Sequence, residues 1–209
     1  MPQNETAKNA GFRVRIALFL DLLTVGVVLV SLCMLRFRGE AFLYFTTDSN
    51  ILAALACILT AGCRVRALSR PGTVIPLPVR VLRFAGTIGV TVTFLTVLCF
   101  LGPKYGFPGM YAGANLPLHL FAPLLCIVST LIGFDAALPR LSLSLFGAAP
   151  VVVYGVIYAA NVLSGRMPDL YAFNADGRWY ITMPCFFLSA ILISLGVYGL
   201  SRLCRRNNG

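Results

Sequence analysis

The hydrophobic positions of this chain fall into six long runs that are separated by shorter polar stretches. Each run holds about 20 residues, which is the length that an α-helix needs to cross the hydrocarbon core of a bilayer. The pattern therefore predicts an all-α, polytopic integral membrane protein with a bundle of six transmembrane helices in one domain, 16–203. The predicted spans are 16–35, 42–63, 81–101, 115–135, 143–163 and 179–203. A polar segment, 1–15, precedes them and a short basic tail, 204–209, follows them.

Three parts of the chain carry residues that bear on where the helices end and how they pack. The stretch from Arg64 to Arg83 contains five arginines and three prolines, a composition that favours an exposed loop. In the third span, small residues recur on one face and predict close approach of a neighbouring helix. These residues are Gly86, Gly89, Thr93 and Thr96. Asp21 interrupts the first span, and we expect a salt bridge from it to Arg15 or Arg83.

The charge pattern gives an orientation for the six spans. The chain has 17 Lys and Arg residues against 7 Asp and Glu. Twelve of the basic residues fall on the side of both termini and five on the other side, which predicts that both termini are cytoplasmic and favours a multi-pass protein of the cell membrane. The basic residues lie in short loops without interleaved aromatic residues, so the bilayer is the expected partner and nucleic acid is not. The 58% hydrophobic composition agrees with this prediction.

The only histidine of the chain, His119, lies in the fourth span between Pro117 and Pro123. An imidazole at hydrocarbon depth is costly unless it faces the bundle interior or a wet cavity, so it is a candidate functional residue. It could equally make a structural hydrogen bond between helices. Asn115 precedes it by one helical turn and lies on the same face.

The polar start of the second span, FTTDSN, is the stretch that could act together with His119. In the six-span arrangement both segments begin at the outer face, which places Thr46 and Thr47 at a depth similar to that of the imidazole. An alcohol becomes a good nucleophile when a neutral imidazole accepts its proton. Backbone N–H groups at the helix start could hold an oxyanion.

Alternative roles exist for most residues of this cluster. Thr, Asp, Ser and Asn also cap helix starts, and for Asp48 capping is the favoured role over orienting the imidazole. Asn50 is a possible supporting residue beside them. On the fifth span, Tyr158 and Asn161 lie at the same predicted depth. Their simpler role is packing between helices, and their possible functional role is contact with substrate.

The motifs YFTTDSN (44–50) and NLPLHLFAP (115–123) resemble those of the androgen-induced-type family of polytopic membrane proteins, in its bacterial branch. Characterised animal members of this family are threonine hydrolases that cleave fatty acid esters of hydroxy fatty acids. The resemblance implies that Thr46, which follows Phe45, is the nucleophile and that His119 is the base. Thr47 directly follows, so the choice between the two threonines stays open.

The expected function is hydrolysis of a fatty acyl ester inside a membrane cavity, with no metal and no organic cofactor. The alternative is a non-enzymatic protein that binds or transports a small lipid or solute through the same polar cavity. The chain contains no GxSxG, HExxH, P-loop or GxGxxG motif, which argues against zinc proteolysis, ATP-driven transport and nucleotide chemistry.

Overall fold

The computed structural model describes residues 2–36, 39–70, 72–133 and 137–206. This part of the chain is helical and contains no β-strand, so the predicted all-α class is confirmed. We number its six longest helical segments in chain order. They are α1 (Pro2–Met34), α2 (Phe45–Ser69), α3 (Leu77–Tyr105), α4 (Pro117–Ile132), α5 (Leu141–Leu163) and α6 (Trp179–Arg206).

Five of these helices are long and apolar enough to cross a membrane, and α4 is a shorter apolar helix. In α1 the apolar part is Gly11–Met34. A bundle of such helices is compatible with a helical membrane protein. Residues 134 and 135, at the end of the predicted fourth span, and residues 207–209 of the predicted tail lie outside the described residues.

Helices α2 and α3 pack closely through the glycines of α3. A Cβ added at Gly86 would lie 2.9 Å from Cα of Ala53, and one added at Gly89 would lie 3.2 Å from Cβ of Ser49. The hydroxyls of Ser49 and Thr93 are 2.9 Å apart and hydrogen-bond across the same contact. The close-packing face predicted for the third span is therefore confirmed, and it fixes the first turn of α2 against α3.

The prediction of an exposed loop from Arg64 to Arg83 is confirmed only between α2 and α3 and is wrong at both ends. Because α2 continues to Ser69 and α3 begins at Leu77, the loop is only a few residues long. The side chains of Arg64 and Arg83 are buried, and both contact Asp21. The distance from Arg83 Nη2 to Asp21 Oδ1 is 2.8 Å, which confirms one of the two expected salt bridges. The carboxylate offsets one of the two positive charges, and neutral acceptors add to it: Arg64 donates to the hydroxyl of Ser129 at 3.4 Å, and Arg83 donates to the carbonyl of Cys126 at 3.3 Å.

Two helices contain a wide turn in which an N–H donates to the carbonyl five residues earlier. In α3 the turn is Val97–Leu101, and in α4 it is Pro117–Phe121, which holds His119. Pro123 contributes to the second turn because it has no N–H to continue the ordinary pattern. Turns of this kind are rare and occur frequently at functional sites.

Candidate functional site

The first turns of α2 and α4 meet at one pair of side chains. Oγ1 of Thr46 lies 3.3 Å from Nε2 of His119, although the two residues are 73 positions apart in the chain. His119 is buried and Thr46 is half-buried. The structure thus brings the two residues together at a distance that a slightly long hydrogen bond allows, as is common in unliganded sites.

The hydrogen bond of Nδ1 of His119 determines whether Nε2 carries a hydrogen. Nδ1 of His119 lies 2.6 Å from the backbone carbonyl oxygen of Met110. A carbonyl only accepts, so Nδ1 carries the hydrogen and donates it. In the neutral ring Nε2 then has a free lone pair, which faces the hydroxyl of Thr46. Sequence reasoning missed Met110, because any residue type can offer a backbone carbonyl.

Asn50 links the two turns that carry Thr46 and His119. Its Nδ2 donates to the carbonyl of Thr46 at 2.7 Å and to the carbonyl of Leu118 at 3.1 Å. The carbonyl of Leu118 needs this donor, because the N–H of Ala122 bonds Pro117 and the next residue is a proline. Asn50 is fully buried. Its two hydrogen bonds hold the pair through backbone carbonyls.

A cavity of about 300 Å³ lies beside this pair, between α2, α3, α5, α6 and the loop that precedes α6. Thr46 lines the cavity, whereas His119 does not. Thr46 therefore borders the cavity on one side and contacts the imidazole through its hydroxyl. The wall is mostly apolar and aromatic. Its rings include Phe45, Phe100, Tyr154, Tyr158, Tyr171 and Phe173.

The start of α2 is capped by a residue from a distant part of the chain. Tyr44 is the N-cap and makes no side-chain capping bond, so the expected capping by the side chains of FTTDSN does not occur there. The N–H of Phe45 instead donates to the hydroxyl of Tyr171 at 2.9 Å. Burial raises the pKa of Tyr171 above its ordinary value, which keeps its hydroxyl protonated at neutral pH. Tyr171 lines the cavity and is a second residue that sequence reasoning missed.

The loop before α6 is held in place by Asp169. Oδ1 of Asp169 accepts the hydroxyl of Tyr158 at 2.9 Å and the N–H of Phe173 at 3.1 Å. Its Oδ2 accepts the N–H of Asn174 at 2.9 Å. The N–H of Tyr171 in turn donates to the hydroxyl of Tyr158 at 3.1 Å. These bonds fix the loop over the cavity and place the ring of Tyr171 at the start of α2.

The other candidate residues occupy different positions. Thr47 is buried and does not line the cavity, and Asp48 lines a separate groove between α2 and α5. The imidazole is oriented by a backbone carbonyl and not by Asp48. Asn115 lies at the start of the turn before His119 and bonds Ala112 through its N–H at 3.0 Å.

On α5, the two predicted residues differ in their surroundings. Tyr158 lines the cavity, as expected from its depth. Asn161 does not line it, and its Nδ2 donates to the carbonyl of Ile157 one turn back at 2.9 Å. Among the described residues, no group of three or more His, Cys, Asp or Glu side chains is placed to hold a metal ion.

Comparison of the chain with protein-family models, with curated proteins and with solved structures finds no match. The resemblance to the androgen-induced-type family therefore stays a prediction from two short motifs. The site itself is defined by its geometry, which is a threonine at the wall of an apolar cavity with an oriented imidazole 3.3 Å from its hydroxyl.

Proposed function

We propose that this chain is an integral membrane hydrolase that cleaves a fatty acyl ester, with Thr46 as nucleophile and His119 as general base. The observation that carries the proposal is the 3.3 Å contact from Thr46 Oγ1 to His119 Nε2 at the cavity wall. In this proposal the chain crosses the cell membrane six times, α4 is the fourth span, and both termini are cytoplasmic. The distribution of basic residues supports that orientation.

The reaction has two steps, and His119 carries the proton in both. Nε2 of His119 accepts the proton of the Thr46 hydroxyl as Oγ1 attacks the acyl carbonyl carbon. The proton then passes to the leaving oxygen, which departs as an alcohol and leaves an acyl ester on Thr46. Water gives a proton to the same nitrogen and attacks this ester; the proton then returns from Nε2 to Oγ1 as the fatty acid leaves, and the hydroxyl is restored. Throughout, the carbonyl of Met110 accepts from Nδ1 and stabilises the charged ring.

The negative charge that develops on the acyl oxygen needs a hydrogen-bond donor. The N–H groups of Phe45, Thr47 and Asp48 bond Tyr171 or Tyr44, so the backbone donor that the start of the second span adds in this proposal is the N–H of Thr46. The hydroxyl of Tyr171 accepts from Phe45 and has its own proton to donate. In the proposal Tyr171 supplies that proton to the oxyanion.

The resemblance of the motifs at 44–50 and 115–123 to the androgen-induced-type family supports the same two roles, because its animal members are threonine hydrolases. The geometry favours Thr46 over Thr47. Only Thr46 both contacts the imidazole and lines the cavity.

The proposal is tested with a fluorophosphonate probe on the purified full chain, followed by mass spectrometry of the labelled peptide. We expect the wild type to be labelled on Thr46 and Thr46→Ala to be unlabelled. His119→Ala should react about 10²- to 10⁴-fold more slowly, the usual contribution of a general base. Thr47→Ala is the matched control, because it removes a neighbouring hydroxyl that lies outside the cavity, and it should label normally.

Labelling that is unchanged in both Thr46→Ala and His119→Ala would overturn the proposal. Thermal unfolding of each variant shows whether it has kept the fold. If no variant and no wild-type protein reacts, but an acyl ester still binds in the cavity, the protein is a lipid-binding protein and not a hydrolase.

A further inference from the structure

The wall of the cavity excludes charged ligands. Among the described residues that line it, none is Asp, Glu, Lys, Arg or His. Its polar groups are hydroxyls, and that of Thr93 already bonds Ser49. A carboxylate or an ammonium group inside this cavity would lose its water without gaining a counter-charge, which is costly. The ligand that fits is uncharged where it lies between the helices.

One side of the cavity is open. Three of the residues that line it are also exposed on the surface of the bundle: Phe100 from α3, and Thr182 and Cys185 from α6. Phe100 is 45% exposed. Side chains that both face the outside and line a cavity mark its mouth, so the opening lies between the last turns of α3 and the first turns of α6. In a membrane, a mouth between two apolar helices faces lipid.

The volume limits what can enter through this mouth. A methylene group occupies roughly the volume of a water molecule, about 30 Å³. A cavity of about 300 Å³ therefore holds an alkyl chain of about ten carbons. A longer chain would leave its end outside the mouth, among the lipids, and would gain no further protein contacts.

We propose that the cavity is the binding site for about ten carbons of the acyl chain of an uncharged ester, which enters sideways between α3 and α6. This inference deepens the proposed function, because it names the acyl group that would reach Thr46. The site selects for a neutral chain through its lack of charged residues, and its volume limits the number of acyl carbons that gain protein contacts.

Two native cysteines allow access to the mouth to be measured by alkylation. Cys185 and Cys99 are both exposed free cysteines, but only Cys185 lines the cavity. Alkylation of both by N-ethylmaleimide can be followed in one sample by peptide mass spectrometry, so Cys99 is an internal control. The measurement is made on full-length Thr46→Ala protein, so that an added ester is bound without being cleaved.

We expect methyl decanoate, at about ten times its dissociation constant, to slow the alkylation of Cys185 about tenfold and to leave Cys99 unchanged. Monomethyl sebacate has the same chain length with an ionised carboxylate at its end, and it should protect Cys185 far less. Methyl hexadecanoate should bind no more tightly than methyl decanoate. Equal protection of both cysteines, no protection, or equal protection by the charged ester would overturn the proposal.

A second measurement compares ester hydrolysis by the wild type with hydrolysis by a variant in which a larger side chain blocks the mouth. Cys185→Trp should reduce hydrolysis of decanoyl esters more than that of acetyl esters, whereas Cys99→Trp should change neither. An equal loss for both esters in Cys185→Trp would contradict a chain site at this mouth. Protection of Cys185 without any wild-type turnover would refute the hydrolase and keep the acyl-chain site. Turnover by the wild type without protection of Cys185 would keep the hydrolase and refute the acyl-chain site.

Discussion

The substitution Asn50→Leu tests the bridge that holds Thr46 and His119 at contact distance. Leucine has a similar size but cannot donate, so the carbonyls of Thr46 and Leu118 each lose the bond from Nδ2. Two hydrogen bonds are worth about 1–3 kcal/mol in net stability. The change also removes Oδ1 of Asn50, a buried atom without a hydrogen-bond partner among the described residues, and this gain offsets part of the loss. We expect a net loss of about 1–2 kcal/mol in the free energy of unfolding.

A loss of that size changes the ratio of folded to unfolded protein by a factor of about 5–30, which steric trapping in detergent micelles can resolve. Asn161→Leu is the matched control, because the amide of Asn161 bonds only one turn back within α5. The reaction of the fluorophosphonate with Asn50→Leu should also slow, since the turn around His119 is no longer held. The reasoning would be refuted if Asn50→Leu cost no more stability than Asn161→Leu and reacted with the probe at the wild-type rate.

Three further substitutions test other parts of the structure. Tyr171→Phe removes the proposed oxyanion donor and should lower kcat about 10²- to 10³-fold with little change in KM; a rise in KM alone would assign Tyr171 to binding. Asp21→Asn removes the carboxylate that contacts two buried arginines and should cost about 3–5 kcal/mol of stability, and a thermal unfolding temperature equal to that of the wild type would contradict this. Gly86→Leu should separate α2 from α3 and lower the unfolding temperature, whereas Gly62→Leu, where an added Cβ meets nothing within 4 Å, should not; equal shifts would show that the close contact is unimportant.

The helical class of the fold, which is compatible with a membrane protein, follows from local properties of the sequence. An apolar run of sufficient length has to satisfy its backbone hydrogen bonds internally, so it forms a helix wherever its neighbours lie. For this reason the all-α class was predictable, and so was the glycine face of α3 around Gly86, which depends only on residue size and helical spacing. The proximity of Thr46 and His119 was also expected, because the predicted six-span arrangement places both residues near the starts of spans on the same side.

The tertiary structure decided the partners of the individual side chains. The charges of Arg64 and Arg83 predicted loop residues, yet both side chains are buried and contact Asp21 on another helix. Met110 orients the imidazole through a backbone oxygen, which leaves no trace in residue type. Tyr171 reaches the start of α2 from 126 residues away. Hydropathy fixes which segments become helices, but the rotation and relative depth of those helices, set by packing, determine which polar groups meet.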